Sequence, residues 1–432
     1  MSAPRKGLVV IHGHFYQPPR ENPWTGQVDV EANAAPDHDW NVRITRECYE
    51  PLIPVYEHLS FDFGPTLLDW MEREARAVYQ AILRSDHGNA LASPYHHIIL
   101  PLATRRDKET EVRWGIADFK RRFGRAPAGF WLPETAVDLE TLDVLAAAGI
   151  QFTVLAPHQV KQPPERGLPA RVALSQGRSI AVFVYDGGLS HGVAFGELTT
   201  NADRLTEALE HAPANGIASI AVDGETWGHH HKDGDKTLAT VLKRLRKSGK
   251  VEVTDFATAL AKYPPIRTAE LVEPTSWSCA HGIERWRRAC GCRIHNDRPS
   301  QQDWRTPLRF AVEWLAHEVH QIYDREGRNL PGGPRAFLDA AGGSGEPASD
   351  LIEMERGVLR AMTSCGWFFD DIAGLEGRQV LRYAAHAITL AGSESARLEA
   401  GFIEQLGNAR SNDPAAGSAA DVFRQAFQPT PS

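Results

Sequence analysis

Three features of the sequence predict an α/β protein built on a parallel sheet with a helical region appended. Short apolar runs recur with amphipathic stretches between them. Polar residues stand where those runs end, and strand signals vanish beyond about residue 262.

GLVVI at 7–11 opens the series and a weaker run surrounds Phe61–Phe63. ALASPY at 90–95, AGFWLP at 128–133, QFTVLA at 151–156, SIAVFVYD at 179–186 and IASIAVD at 217–223 follow, with a short KVEV at 250–253. Several are continuous rather than alternating apolar runs, which suits strands covered on both faces. Between them, 66–84, 107–123, 138–148, 203–211 and 236–247 have helical periodicity. Such alternation fits an α/β barrel or a doubly wound sheet. KYPPIR at 262–267 breaks the pattern. Beyond it, Leu308, Val312, Leu315, Val319 and Ile322 predict a helix over 305–325, with Pro307 in its first turn. Further helices are expected at 350–363, 376–391 and 394–408. GGSGEPAS at 342–349 reads as a linker, and the residues after Asn412 as a mobile tail. The expected organisation is a catalytic domain over 1–265, a helical region over 266–412 contributing to the cleft, and a tail over 413–432.

Composition narrows the function. The 432 residues carry a net charge of −8, against the basic face that a nucleic-acid binder needs. A neutral polymer suits that charge better than an anionic one. The apolar run Leu8–Ile11 is too short for a signal segment and is interrupted by His12. No stretch approaches the roughly 20 apolar residues that span a bilayer, so a soluble, cytoplasmic protein without a membrane partner is expected. No Walker-type or Rossmann glycine pattern supports nucleotide chemistry. Of the five cysteines, Cys48 and Cys365 stand alone, whereas Cys279, Cys290 and Cys292 lie close together. A zinc site on Cys290-Gly-Cys292 with Cys279 or His295 lacks the usual two-residue gap. These cysteines are therefore read as reduced thiols, with no metal and no cofactor.

The chemistry is read from the strand ends. GLVVI runs into His12-Gly-His14, ALASPY into His96-His97, AGFWLP into Glu134, QFTVLA into His158, VFVY into Asp186 and IASIAV into Asp223-Gly224-Glu225. Parallel α/β folds build their sites at the C-terminal ends of strands. Glu134 and Asp223 stand out, since glycoside hydrolysis needs two carboxyl groups, one attacking the anomeric carbon and one protonating the leaving oxygen. Aromatics near these positions, including Tyr16, Trp24, Trp131 and Trp227, offer surfaces for sugar rings.

In these ordered motifs the sequence resembles glycoside hydrolase family 57. His12-Gly-His14-Phe-Tyr-Gln17-Pro18 is similar to the family's opening motif, with two extra residues between His14 and Gln17. His97-Ile-Ile-Leu-Pro101 resembles the second, Trp131-Leu-Pro-Glu134 the nucleophile motif, and Asp223-Gly-Glu225-Thr-Trp227-Gly-His229 the acid/base motif. Ser276-Trp277 with Gly282 is similar to the fifth, more loosely. The resemblance implies a seven-stranded (β/α) barrel with a helical C-terminal region, acting on α-glucans with retention. It implies Glu134 as nucleophile and Asp223 as acid/base. His12, His14, Gln17, His97, Trp131, Glu225, Trp227, His229 and Trp277 are expected to bind the carbohydrate substrate. The alternative is a metal-dependent hydrolase of the deacetylase or amidohydrolase kind, with His12 and His14 joined by His158, His191 and Asp223. His229-His230-His231 is read as a loop rather than a second metal site.

Overall fold

The computed structural model describes residues 5–295, 300–342 and 348–426. The chain divides into two compact units. One comprises Met1–Gln17, Val30–Pro94 and Gly115–Glu273, and the other Pro18–Asp29, Tyr95–Trp114 and Pro274–Ser432.

The first unit is an α/β assembly with a mostly parallel sheet. Its strands are β1 (Leu8–Phe15), β2 (Ser60–Phe63), β3 (Ala90–Leu91), β4 (Phe152–Leu155), β5 (Ala170–Ala173), β6 (Ser179–Val184), β7 (Ile217–Asp223) and β8 (Glu252–Thr254). One sheet has the order β3-β2-β1-β7, with β8 also on β1, and a second the order β4-β6-β5. Leu8–Val10 pair with β8, leaving His12–Phe15 for β2, while β7 runs along nearly the whole of β1. Val9, Val10, Ile11, Val154, Val182 and Ile220 are completely buried, as the continuous apolar runs require. AGFWLP, expected as a strand, makes only isolated bridges, Ala92 to Phe130 and Gly129 to Phe152. β5 was not foreseen. It pairs antiparallel with β6, and its exposed, charged Arg171 hides the apolar signal.

Four of the helices around these strands start at short polar side chains that cap them. The helices are α1 (Pro65–Glu74), α2 (Arg76–Arg84), α3 (Arg105–Phe123), α4 (Leu139–Ala147), α5 (Gly187–Ala194), α6 (Ala202–Glu210), α7 (Gly234–Ser248) and α8 (Phe256–Lys262), the first part of α3, through Trp114, being grouped with the second unit. Pro65 opens α1, and Asp138, Asp186, Asn201 and Asp255 accept backbone hydrogen bonds at the starts of α4, α5, α6 and α8. The single helix expected over 66–84 breaks at Ala75, whose φ of −131° and ψ of 44° are not helical.

The second unit holds α9 (Arg305–Glu326), α10 (Asp350–Arg360), α11 (Leu375–Leu390), α12 (Ser395–Leu406) and α13 (Ala419–Ala426). Two early segments join it. Gln379 and Tyr383 donate to the Glu21 carbonyl at 2.7 and 3.1 Å, and Trp114 Nε1 donates to the Leu338 carbonyl at 3.0 Å. The boundary expected at 265 moves to Glu273, because 267–272 hydrogen-bonds to Arg171 and Gln159 of the first unit. The expected tail carries α13 instead. Ala419, Val422 and Phe423 are buried, and the Phe423 ring packs 5.1 Å from that of Phe402. Most of the expected linker, 343–347, lies outside the described residues. Among the described residues no helix is long and apolar enough to cross a membrane.

Candidate functional site

Strand register assembles the site. Alternate residues of β1 share a face, and in-register neighbours on parallel strands share it too. His14 is paired with Asp62 of β2 on one side and with Asp223 of β7 on the other. Asp62, His14 and Asp223 therefore form one row across three strands, with His12 and Ser60 one step behind. His12 and His14 lie within the strand, not after it as the sequence suggested.

The row is tightly bonded. His14 Nδ1 lies 2.9 Å from Asp62 Oδ2, His12 Nε2 lies 3.2 Å from Asp62 Oδ1, and His12 Nδ1 lies 3.1 Å from Ser60 Oγ. Burial opposes charge on His14, yet Asp62, Asp223 and Glu225 outweigh it and push the imidazole up to about 9. Burial also dominates at His12, and there it prevails, lowering the pKa. Asp62 is fully buried, but the two histidines hold its carboxyl below the ordinary range. A neutral His12 and an ion-paired His14–Asp62 result. The sequence does not single out Asp62, because Phe-Asp-Phe reads as a weak strand. A lone acid inside an apolar run was the available signal.

Asp223 closes β7. Its residue surface is exposed, yet the protein packed around the carboxyl desolvates it. That desolvation raises its carboxyl above the usual range. The His14 charge pulls it partly back and Asp62 adds to the rise. Gly224 is obligatory here, since a Cβ would stand 2.1 Å from the Phe15 ring. Glu225 turns inward, where Tyr49 Oη and the Tyr16 amide donate to it. Burial and the Asp223 charge push its carboxyl up to about 7. Gln17 donates to the same Tyr49 hydroxyl. Gln17 and Glu225 thus belong to one network beneath the acid.

Glu134 lies in the same unit on the turn Pro133–Thr135, partly exposed, with a left-handed backbone of φ 57° and ψ 20°. A side-chain-bearing residue is uncommon there, and such strain persists only where surrounding structure imposes it. Gln159, fully buried, supplies that constraint by donating to the Thr135 carbonyl at 2.7 Å. Three residues earlier, Trp131 stacks on His12 at 4.5 Å and on His14 at 5.2 Å.

Several expected substrate contacts take other positions. His12, Trp131 and Trp227 have no exposed surface, so they support the site from behind and offer no face to a sugar. His229 is occupied by Glu47, 2.6 Å from its Nδ1. Asp186, noted as a polar strand-end residue, caps α5. His97 and Trp277 belong to the second unit. There His97, also left-handed at φ 55°, is bonded through Nδ1 to Ser364 Oγ at 2.8 Å, and Trp277 is partly exposed. Of the alternative metal set, His12, His14 and Asp223 come from the adjacent strands β1 and β7, but His12 is not available as a ligand. Both nitrogens of His12 are taken by Ser60 and Asp62, and His158 and His191 are exposed.

Comparison with known proteins bears on the family and the fold. The profile of glycosyl hydrolase family 57 matches residues 14–271, and one described as a domain of unknown function (DUF3536) matches 345–431. An alpha-amylase of Pyrococcus horikoshii is 20% identical over 262 residues, covering 56% of this chain and 41% of the amylase. The chain therefore spans about two fifths of that relative's length. An exo-type maltose-forming amylase from Pyrococcus sp. ST04 superposes with a TM-score of 0.75 at 16% identity, covering 97% of this chain and 91% of its own. A branching enzyme from Thermococcus kodakaraensis gives 0.61 at 15% identity, covering 98% and 94%. At such identities the structural likeness speaks for the fold.

Proposed function

Because the chain belongs to glycosyl hydrolase family 57, we propose that it is a retaining enzyme acting on α-glucan-type oligo- or polysaccharides, by hydrolysis or by transfer to a second sugar. The observation that carries this reading is Asp223, an accessible carboxyl group raised by its enclosed setting and placed in register with a charged His14. Glu134 is the second carboxylate, partly exposed on a turn whose conformation is imposed by its neighbours.

In the first step the Glu134 carboxylate attacks the anomeric carbon while Asp223 gives its proton to the departing glycosidic oxygen. In the second step the Asp223 carboxylate takes a proton from water or a sugar hydroxyl, which then displaces Glu134. Once Asp223 has given up its proton, the adjacent His14 cation stabilises the anion. Glu225 and His12 are buried and keep His14 and Tyr49 in place. We read the two sheets as parts of one seven-stranded barrel. The Ala92–Phe130 and Gly129–Phe152 bridges support this, as does the 2.8 Å hydrogen bond from the Asp186 amide to the Ser219 carbonyl.

Asp223→Asn tests the roles. With an activated aryl α-glucoside the variant forms the glycosyl-enzyme and stalls. Azide, which needs no base, then restores turnover and yields a glycosyl azide of retained configuration. Loss on unactivated glucans is about 10²–10⁴-fold. Azide rescue of Glu134→Gln with retention, and none of Asp223→Asn, contradicts the assignment.

A further inference from the structure

Cys279, His281, Cys290 and Cys292, all in the second unit, bring one donor atom each to within 4.8 Å of every other. The sulfur of Cys279 is 4.0 Å from that of Cys290 and 3.8 Å from that of Cys292, and Cys292 Sγ is 3.5 Å from His281 Nδ1. A tetrahedral zinc with Zn–S near 2.3 Å and Zn–N near 2.0–2.1 Å requires edges of about 3.8 Å between sulfurs and about 3.6 Å from sulfur to nitrogen. The three separations given match edges of that tetrahedron, and the remaining donor pairs lie within 4.8 Å. A disulfide would need about 2.05 Å, and pairing any two of three sulfurs would strand the third.

We propose that Cys279, His281, Cys290 and Cys292 form a structural zinc site. Three thiolates and one imidazole select a borderline-soft divalent ion, and four protein donors leave no open position for chemistry. The surroundings suit metal-bound thiolates. The amides of His281 and Arg285 point at the Cys279 sulfur, and that of Ala280 at Cys292. Gly291, between the two closing cysteines, has a φ of +91° that allows the chain to reverse there. Its amide donates to Gln302 Oε1 at 3.1 Å, and the Cys292 carbonyl accepts from Gln302 Nε2 and Arg305 Nη1 at 2.6 and 3.0 Å.

The need for a cross-link is plain from the chain. Between Lys262 and Arg305 the described residues form one helical turn, Glu284–Trp286, and no helix or strand. A stretch that long without regular structure needs some other constraint. The zinc ties Cys279, two residues after Trp277, to the Cys290–Cys292 loop held by α9.

Metal analysis of the full chain, purified without chelator, is expected to give about one zinc per chain. Cobalt substitution is expected to give intense visible bands of tetrahedral geometry and thiolate-to-cobalt charge transfer. Cys290→Ser and Cys292→Ser lower bound zinc to about a tenth or less, whereas Cys365→Ser, outside the cluster, keeps it. The cobalt spectrum needs no variant, so it decides the matter even if a cysteine variant fails to fold. Absence of zinc after reconstitution under reducing conditions, an octahedral cobalt spectrum, or zinc retained in Cys292→Ser overturns the proposal.

Discussion

A buried histidine–carboxylate cluster of the first unit and one of those in the second share their chemistry and differ in what surrounds them. In the first unit His14 meets Asp62 at 2.9 Å and is pushed up to about 9. In the second, His320 of α9 meets Glu355 of α10 at 2.8 Å and Asp107 of α3 at 3.0 Å. Burial opposes its charge, but the two acids prevail and push it up to about 10. Neither Glu355 nor Asp107 reaches the surface, and Arg106 also pairs with Glu355 at 3.1 Å. That cluster ties helices together. Beside His14, by contrast, strand register sets Asp223, whose surface is open. A charged, buried histidine does not by itself make a site. An accessible acid beside it does.

The largest expected effect lies outside both clusters. Glu134→Gln removes the attacking charge and is expected to lower kcat by about 10⁴-fold or more with any leaving group, measured by initial rates. Activity close to the parent's would break the contrast at its functional end.

Asp62→Asn and Glu355→Gln test the clusters against each other. Each leaves a buried cation short of its partner, which costs about 3–5 kcal/mol of stability in chemical denaturation. Asp62→Asn is also expected to reduce kcat/KM, while Glu355→Gln leaves it unchanged. Equal losses of activity would erase the distinction between a site and a fastening.

A smaller effect sharpens it further. The His14 charge lowers the Asp223 pKa, so His14→Gln should move the alkaline limb of kcat/KM to higher pH, whatever it does to the rate. His320→Gln should leave that limb in place. Stability follows the opposite sense. Both histidines have raised folded-state pKa values, so each contributes fully below its ordinary value near 6.5. The His14 contribution fades as pH rises through about 9, and that of His320 through about 10. Denaturation midpoints across this range check both.

Much of this was legible in the sequence. The apolar run at 217–223 corresponds residue for residue to β7 and ends on Asp223, whereas Glu134 follows a segment that makes only isolated bridges. The strand-end pattern overreached at Asp186 and at His96, which is bonded to Glu111 at 2.7 Å, because a strand end is also where helices are capped and chain reversals tied. Trp131 and Trp227 read as sugar platforms, but composition does not reveal which aromatic faces inward, and both are buried. Asp62 became visible only through register with β1, a relation between distant segments. The three clustered cysteines are weighed as a zinc set with His295 and set aside on spacing, whereas His281 joins them only in the fold. Single-residue gaps in Cys-Ala-His and Cys-Gly-Cys look unlike a metal motif until folding brings the two pieces together. α13 was hidden by the Gly-Ser-Ala-rich residues before it, although Ala419, Val422 and Phe423 have helical spacing.

The central claim, that Glu134 attacks while Asp223 handles the proton, is tested most directly by trapping the covalent intermediate. Asp223→Asn would be incubated with an activated α-glucoside, digested and mapped by mass spectrometry. The account predicts a glycosyl group attached to Glu134 and released by azide. A glycosyl group on Glu225 or any other side chain would contradict it, as would full turnover of the activated substrate with no adduct at any carboxylate.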